Sequence, residues 1–373
     1  MVGEILSDEQ ILELIRAGAI KNADPRLINP GSLDLRLSSE IHKMLGSILP
    51  QSDEAVEDIL RNKRLVDKSF TAATDFFLAK HQPYIIRLVE ELDLPESVSA
   101  RVFNKSGRGR IGTSVKTLCD CVPGFDTIPL GYKGPLYSEV TATAFGELIK
   151  CGHTTMPQIR FYEGNPEPIT GHALELLLRE HPLIHQDNGK PVLETREQMQ
   201  KVARTGKLTF TADLSGPLLF YKGNNVERTI DLEIRNQYDP SDFFEECRAT
   251  QKDKHTALIK PNEFILIHSR ENLRLPPNYA IEIAEYTASI GDLKSHYAGL
   301  VNPGHGNTPK FTQDHIVFEV RARDVPIIIR HGQPLAEFEV YRMAKEPKNS
   351  YIGGRSTSFN SLPSILPTQF KRA

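Results

Sequence analysis

The 373-residue chain has only four cysteines, Cys119, Cys121, Cys151 and Cys247, and no even framework at regular spacing joins them. A disulfide-stapled secreted scaffold is therefore not expected. Long apolar runs are also missing: none approaches the roughly 20 residues that cross a bilayer. The opening MVGEILSDEQ lacks the charged-then-apolar pattern of a secretion signal. These absences predict a soluble, cytoplasmic protein with no membrane partner. Positive bias is missing as well, since the net charge is −3. That argues against a nucleic acid polymer as partner, because a broad grip on phosphates needs a basic surface. One small anion held by a few arginines remains compatible.

Several chemistries lack their motifs. Zinc nucleobase deaminases use His-x-Glu with Pro-Cys-x-x-Cys. Here the close pair is Cys119-Asp120-Cys121, with a different spacing and no preceding proline. No His-Glu-x-x-His, phosphate-binding P-loop or Gly-x-Ser-x-Gly occurs. No zinc or other protein-bound metal is expected. Glycine-rich turns between alternating strands and helices do not recur, which disfavours a doubly wound sheet.

What is present is a chain 39% hydrophobic and 25% charged, enough apolar material for packed cores. LSDEQILELIRAG reads as a helix capped by Ser7 with Gln10 three residues on. SLDLRLSSEI alternates apolar and polar residues like a half-buried strand. Short β-like runs follow, among them YIIRLVEEL, SVSARVF, FILIHS, YAIEIAEY, HIVFEVRA and PIIIRHG. The expected fold is mainly β, a barrel or jelly roll with a few helices.

An internal repeat organises these runs. Lys80, Tyr84 and Ile85 recur as Lys260, Phe264 and Ile265; Leu94-Pro95 as Leu275-Pro276; Glu139-Val140 as Glu319-Val320; Gly152 as Gly332; Phe161 as Tyr341. SLDLRL has a weaker echo in TIDLEI, from Thr229. Two tandem modules follow, 1–165 and 205–345. Residues 166–204 read as a partly helical connector, with helical patterns at 173–180 and 194–204, and 346–373 as a draped or mobile tail.

Three strings carry candidate chemistry. In NKSGRGRIG, Ser106 and Arg110 are four apart and share a face in a helical turn, with Lys105 and Arg108 adding charge beside them. A phosphate site and a basic surface turn are both compatible with that string. In PLGYKGPLYSEV, a Gly-aromatic-x-Gly turn feeds a strand carrying Glu139 between apolar neighbours. If it faces inward, desolvation would raise its pKa toward that of a general acid or base; a half-exposed strand glutamate is the alternative. Glu319 occupies the same repeat position. In YAGLVNPGHG, Asn302-Pro303-Gly304 is a turn whose amides could line a ligand.

Taken in order, these pieces resemble the deoxycytidine-triphosphate deaminase family, which shares a trimeric β-fold with the deoxyuridine triphosphatases. INPGSLDLRL resembles the family's opening, KSGRGRIG its Ser-to-Arg segment, GYKGPLYSEV its Gly-aromatic-x-Gly segment ending in the catalytic glutamate, and SHYAGLVNPG its Ala-x-x-x-Asp-Pro-Gly stretch. The resemblance implies two dUTPase-like modules and a zinc-independent deamination of dCTP to dUTP and ammonia. Glu139, Glu319, Ser106 and Arg110 would be catalytic. Lys105, Arg108, Tyr132, Ala298, Asn302 and Gly304 would contact the nucleotide. Magnesium would arrive with the triphosphate, and a trimer-like or pseudo-symmetric homo-oligomer would form. A deoxyuridine triphosphatase, a bifunctional enzyme and a non-catalytic nucleotide-binding protein are the alternatives. The sequence departs from the family pattern at Asn302, where aspartate is usual, in the insertion GNTPKFTQD, and in CDCVPGFD, whose Asp126 stands off the usual spacing.

Overall fold

The computed structural model describes residues 3–224, 226–250, 255–284, 293–295 (backbone only), 299–306, 314–322, 324–349 and 365–371. Among these, no helix is long and apolar enough to cross a membrane. The architecture is mainly β, as expected, in two units. Both are discontinuous: one comprises Met1–Pro166, Asn225–Tyr238 and Pro367–Ala373, the other Glu167–Asn224 and Asp239–Leu366.

The first unit opens with the short strand Glu4–Ile5 and the helix Asp8–Arg16, capped by Ser7, whose N–H donates to Gln10 Oε1 at 3.1 Å. The thirteen-residue strand Ser32–Met44 then serves two sets of neighbours. Its first half pairs with Thr155–Glu163 and its second half with Pro83–Asp93 and Val66–Thr71. Leu33, Leu35 and Leu37 are fully buried, as the alternation predicts. Asp34 on the opposite face is buried too, so the start of this strand is covered on both sides, while Arg36, Ser38 and Glu40 further along that face are half-buried as expected. The sheet runs Thr127–Ile128, Val98–Asn104, Thr155–Glu163, Ser32–Met44, Pro83–Asp93, Lys133–Ala142, Thr113–Cys119. Those last two strands carry and flank Glu139.

The second unit repeats the plan. Its sheet runs Phe244–Arg248, Leu218–Gly223, Phe264–Leu273, His315–Ala322, Leu293–Ser295. A second sheet joins Lys207–Thr211, Pro334–Arg342, Tyr279–Ile283 and Leu300–Val301. The helices expected in the connector form at Gly171–Glu180 and Arg196–Thr205. They do not stand apart as a link: Leu174, Leu178, Met199 and Ala203 lie in one core with Phe210, Ile267, Phe318 and Phe338.

The repeat is exact enough to compare hydrogen bonds. Leu94 N–H donates to Tyr132 O and Leu275 N–H to His305 O, 2.9 and 2.8 Å. Gly152 and Gly332 have φ of 78° and 77°, and their N–H groups donate to Leu37 O and Ala212 O. Two details correct the sequence alignment. The turns before the central strands match His81 with Asn262, both at positive φ, and Lys80 with Pro261. The matching there is therefore one residue away from Lys80 with Lys260, and Tyr84 corresponds to Ile265. The counterpart of SLDLRL is KLTFTA, from Lys207, because Leu37 and Ala212 accept the equivalent glycine N–H. TIDLEI is not that echo: Thr229–Asp231 pairs in parallel with Gly146–Leu148 of the first unit.

Candidate active site

Glu139 lies mid-strand, opposite Ile85 on one side and Lys116 on the other. Its side chain is 4% exposed. Lys116 Nζ is 3.2 Å from Oε1, the Ser47 hydroxyl donates to the same oxygen at 2.8 Å, and the Ile48 N–H donates to Oε2 at 3.2 Å. A buried carboxylate needs such partners, since an unpaired charge is costly away from water. Lys116 also lies over the Phe125 ring, 4.4 Å from its centroid, a favourable cation–π arrangement.

CDCVPGFD helps to build this surrounding. Asp120 Oδ1 accepts the Val56 N–H at 2.8 Å, at the start of the helix Val56–Arg61. Asp126 Oδ1 accepts the Thr117 N–H at 2.7 Å. Burial pushes the Asp126 carboxyl up to about 7 despite that bond and the Lys116 charge, and the Glu139 charge adds to the rise. No motif in the sequence singles out Lys116 or Ser47. A lone lysine inside the strand Thr113–Cys119 is the signal that could have found the first; nothing local marks the second.

Ser106 opens the single helical turn Ser106–Gly109, and Arg110 follows it, its N–H donating to Ser106 O at 3.0 Å. The two expected residues thus share one turn. Their neighbours are committed elsewhere. Lys105 Nζ bonds Asp34 Oδ2 and Thr155 Oγ1, and Asn29 and Gln158 donate to Asp34 Oδ1, each at 3.0 Å. Arg108 donates from Nε to Thr155 O and from Nη1 to Leu232 O. The Tyr132 hydroxyl donates to Pro135 O at 2.7 Å and accepts the Asp120 N–H at 3.2 Å, which makes it a brace of its own turn. The Gly-aromatic-x-Gly pattern follows from that brace: a Cβ on Gly134 would sit 2.8 Å from the Tyr132 hydroxyl.

In the second unit Glu319 stands opposite Leu266 and is 1% exposed. This ladder position matches Glu139 opposite Ile85. Asn302, 4% exposed, follows the strand Leu300–Val301, and Gly304 takes φ 78° in the turn after it. Ala298 lies outside the described residues.

Comparison with known proteins bears on both units. The model of the 2'-deoxycytidine 5'-triphosphate deaminase N-terminal domain matches residues 2–165, and that of its C-terminal domain matches residues 174–364. Two relatives named "dCTP deaminase, dUMP-forming", from Thermobifida fusca (strain YX) and Streptomyces griseus subsp. griseus, are 29% and 27% identical over 124 residues. Each match covers 32% of this chain, which spans 62% and 63% of the length of these relatives. The crystal structure of 2'-deoxycytidine 5'-triphosphate deaminase from Agrobacterium tumefaciens is similar with a TM-score of 0.81 and 29% identity, over 93% of this chain and all of that one.

Proposed function

The chain belongs to the 2'-deoxycytidine 5'-triphosphate deaminase family, and on that premise we propose that it deaminates dCTP hydrolytically, giving dUTP and ammonia without zinc. The observation that carries the reading is the pair of buried glutamates, Glu139 and Glu319, at one ladder position of a duplicated strand pair. In the proposed reaction a glutamate takes a proton from water as the oxygen bonds to cytosine C4. The carboxylic acid passes that proton to N3, and the proton of the new C4 hydroxyl then moves through the same glutamate to the amino nitrogen as the C4–N bond breaks, leaving a C4 carbonyl and ammonia. A positioned acid–base group contributes about 10²–10⁴ in rate. Ser106 holds the water or the base, and Arg110 stabilises charge on the triphosphate or the intermediate. Magnesium enters bound to the substrate triphosphate. The working form is a homo-oligomer in the cytoplasm.

A second reading is favoured by the two relatives whose names end in "dUMP-forming": the dUTP is hydrolysed further to dUMP and pyrophosphate. Incubation with dCTP, with ammonia and pyrophosphate measured together, tests both. Ammonia alone supports dUTP as product, and equal amounts of the two support dUMP. Unchanged dCTP despite saturable binding would sink both readings in favour of a nucleotide-binding protein.

A further inference from the structure

Arg108 sits between Ser106 and Arg110 on one turn, yet its guanidinium is turned into the protein. Its side chain is 11% exposed. Nε donates to Thr155 O at 3.1 Å, Nη1 to Leu232 O at 3.0 Å, and Nη2 lies 3.8 Å from Glu233 Oε1. All three nitrogens of the planar fork are therefore engaged, two of them by main-chain carbonyls whose positions are set by the backbone. Thr155 is close in the first unit's own sheet. Leu232 and Glu233 come from a segment more than a hundred residues further along the chain.

That segment is fastened on several sides. Thr229–Asp231 pairs in parallel with Gly146–Leu148, and Leu232 N–H donates to Leu148 O at 3.1 Å. Thr154 Oγ1 donates to Glu233 Oε1 at 2.8 Å. Gln369 Nε2 donates to Leu232 O at 3.1 Å, and the rings of Tyr238 and Phe370 stand 6.2 Å apart. The strap 229–233 is thus held to the sheet before Arg108 hooks it.

We propose that Arg108 is a positioning residue: by gripping Thr155 O, Leu232 O and Glu233 it fixes the turn that presents Ser106 and Arg110, and residues 229–233 are the strap that holds this turn in place. Arg108 is accordingly not a ligand of the triphosphate. The consequence for activity rests on the reading that Ser106 and Arg110 serve deamination; the mechanical part does not.

Arg108→Met, which keeps much of the side chain's length and apolar stem but removes the fork, and Glu233→Gln, which leaves the Leu232 carbonyl in place, test the proposal. Hydrogen exchange of the amides in 105–112 is read by mass spectrometry, together with dCTP kinetics and thermal unfolding. Exchange there is expected to quicken about tenfold in Arg108→Met and about threefold in Glu233→Gln. kcat is expected to fall in the same order while KM stays within about threefold, because a displaced Ser106–Arg110 turn harms the transition state more than ground-state binding. A raised KM with unchanged kcat would make Arg108 a substrate ligand and overturn the proposal. Unchanged exchange in 105–112 would overturn it too. If Arg108→Met does not fold, Glu233→Gln decides by the same readouts. A wild-type protein that leaves dCTP intact would refute the functional reading and leave the exchange measurement to judge the strap.

Discussion

Lys116 and Glu139 face each other across neighbouring strands of the first unit, with Nζ 3.2 Å from Oε1 and the glutamate nearly sealed from solvent. An opposite-charge pair at directly opposed strand positions stabilises the sheet, and here it also neutralises a carboxylate that could not be buried alone. Lys116 is 34% exposed, so its removal lets some water reach the site. Lys116→Met is expected to cost about 2 kcal/mol, below the range for a fully buried pair. Ser47→Ala, which removes a bond to a charged acceptor, is expected to cost about 1.5 kcal/mol. Denaturant titration of both variants, and of the double variant, checks this. Because both donors meet Oε1, the losses should not add.

The glutamates separate by single substitution. Glu139→Gln or Glu319→Gln at the catalytic base is expected to lower kcat by about 10²–10⁴ while dCTP binding stays within about threefold. Steady-state kinetics with calorimetric binding distinguishes the two. Full activity in both variants would refute a glutamate base. Loss confined to Glu139→Gln would place the base in the first unit alone.

Stability should depend on pH through two buried carboxyls of the first unit. Burial raises Glu147 from 4.5 to about 8, against its Thr113 hydrogen bond and the Arg108 charge, and raises Asp126 from 3.8 to about 7. Both folded values lie above the unfolded ones. The stability they confer is therefore fully present below roughly pH 4 and is lost as pH rises through about 7 and then about 8. Melting temperatures measured between about pH 5 and 9 should decline from these groups. Glu147→Gln should lessen the decline throughout and remove its part between about pH 7 and 8, and Asp126→Asn should lessen it only below about 7. A slope unchanged in both variants would show that neither carboxyl is held protonated.

Gly112 closes the Ser106–Arg110 segment at φ 80°, and a Cβ there would lie 2.5 Å from Ala144 Cβ and 3.0 Å from Ala144 N. Neither atom belongs to a flexible side chain that could swing away. Gly112→Ala is expected to cost about 2 kcal/mol or more from backbone strain and overlap. It should also reduce activity by displacing Arg110, two residues earlier. A melting curve and a dCTP assay on the same preparation test both effects.

Much of this protein was legible from residue patterns. The capped first helix, most of the strands and the duplication followed from periodicity, turn residues and repeated pairs, which are local properties that the fold preserves. The shared ladder position of Glu139 and Glu319 was legible for the same reason. The alignment of the copies was less secure. A one-residue slip reverses every side chain of a strand, and it took the backbone, with His81 and Asn262 both at positive φ and donating to Ala142 O and Ala322 O, to show that these two residues match.

Alternation, glycine turns and a repeated glutamate are written along the chain, and they specify the β-rich, two-copy architecture and the short list of groups able to do chemistry. Tertiary structure alone decided what those groups face. It turned Arg108 and Lys105 inward to Leu232 and Asp34, set Lys116 and Ser47 on Glu139, and carried TIDLEI away from the second unit to the edge of the first. Each outcome depends on which distant backbone carbonyl or carboxylate occupies the space beside a side chain. Local periodicity contains no record of that, because the partners are brought together only when the sheets close.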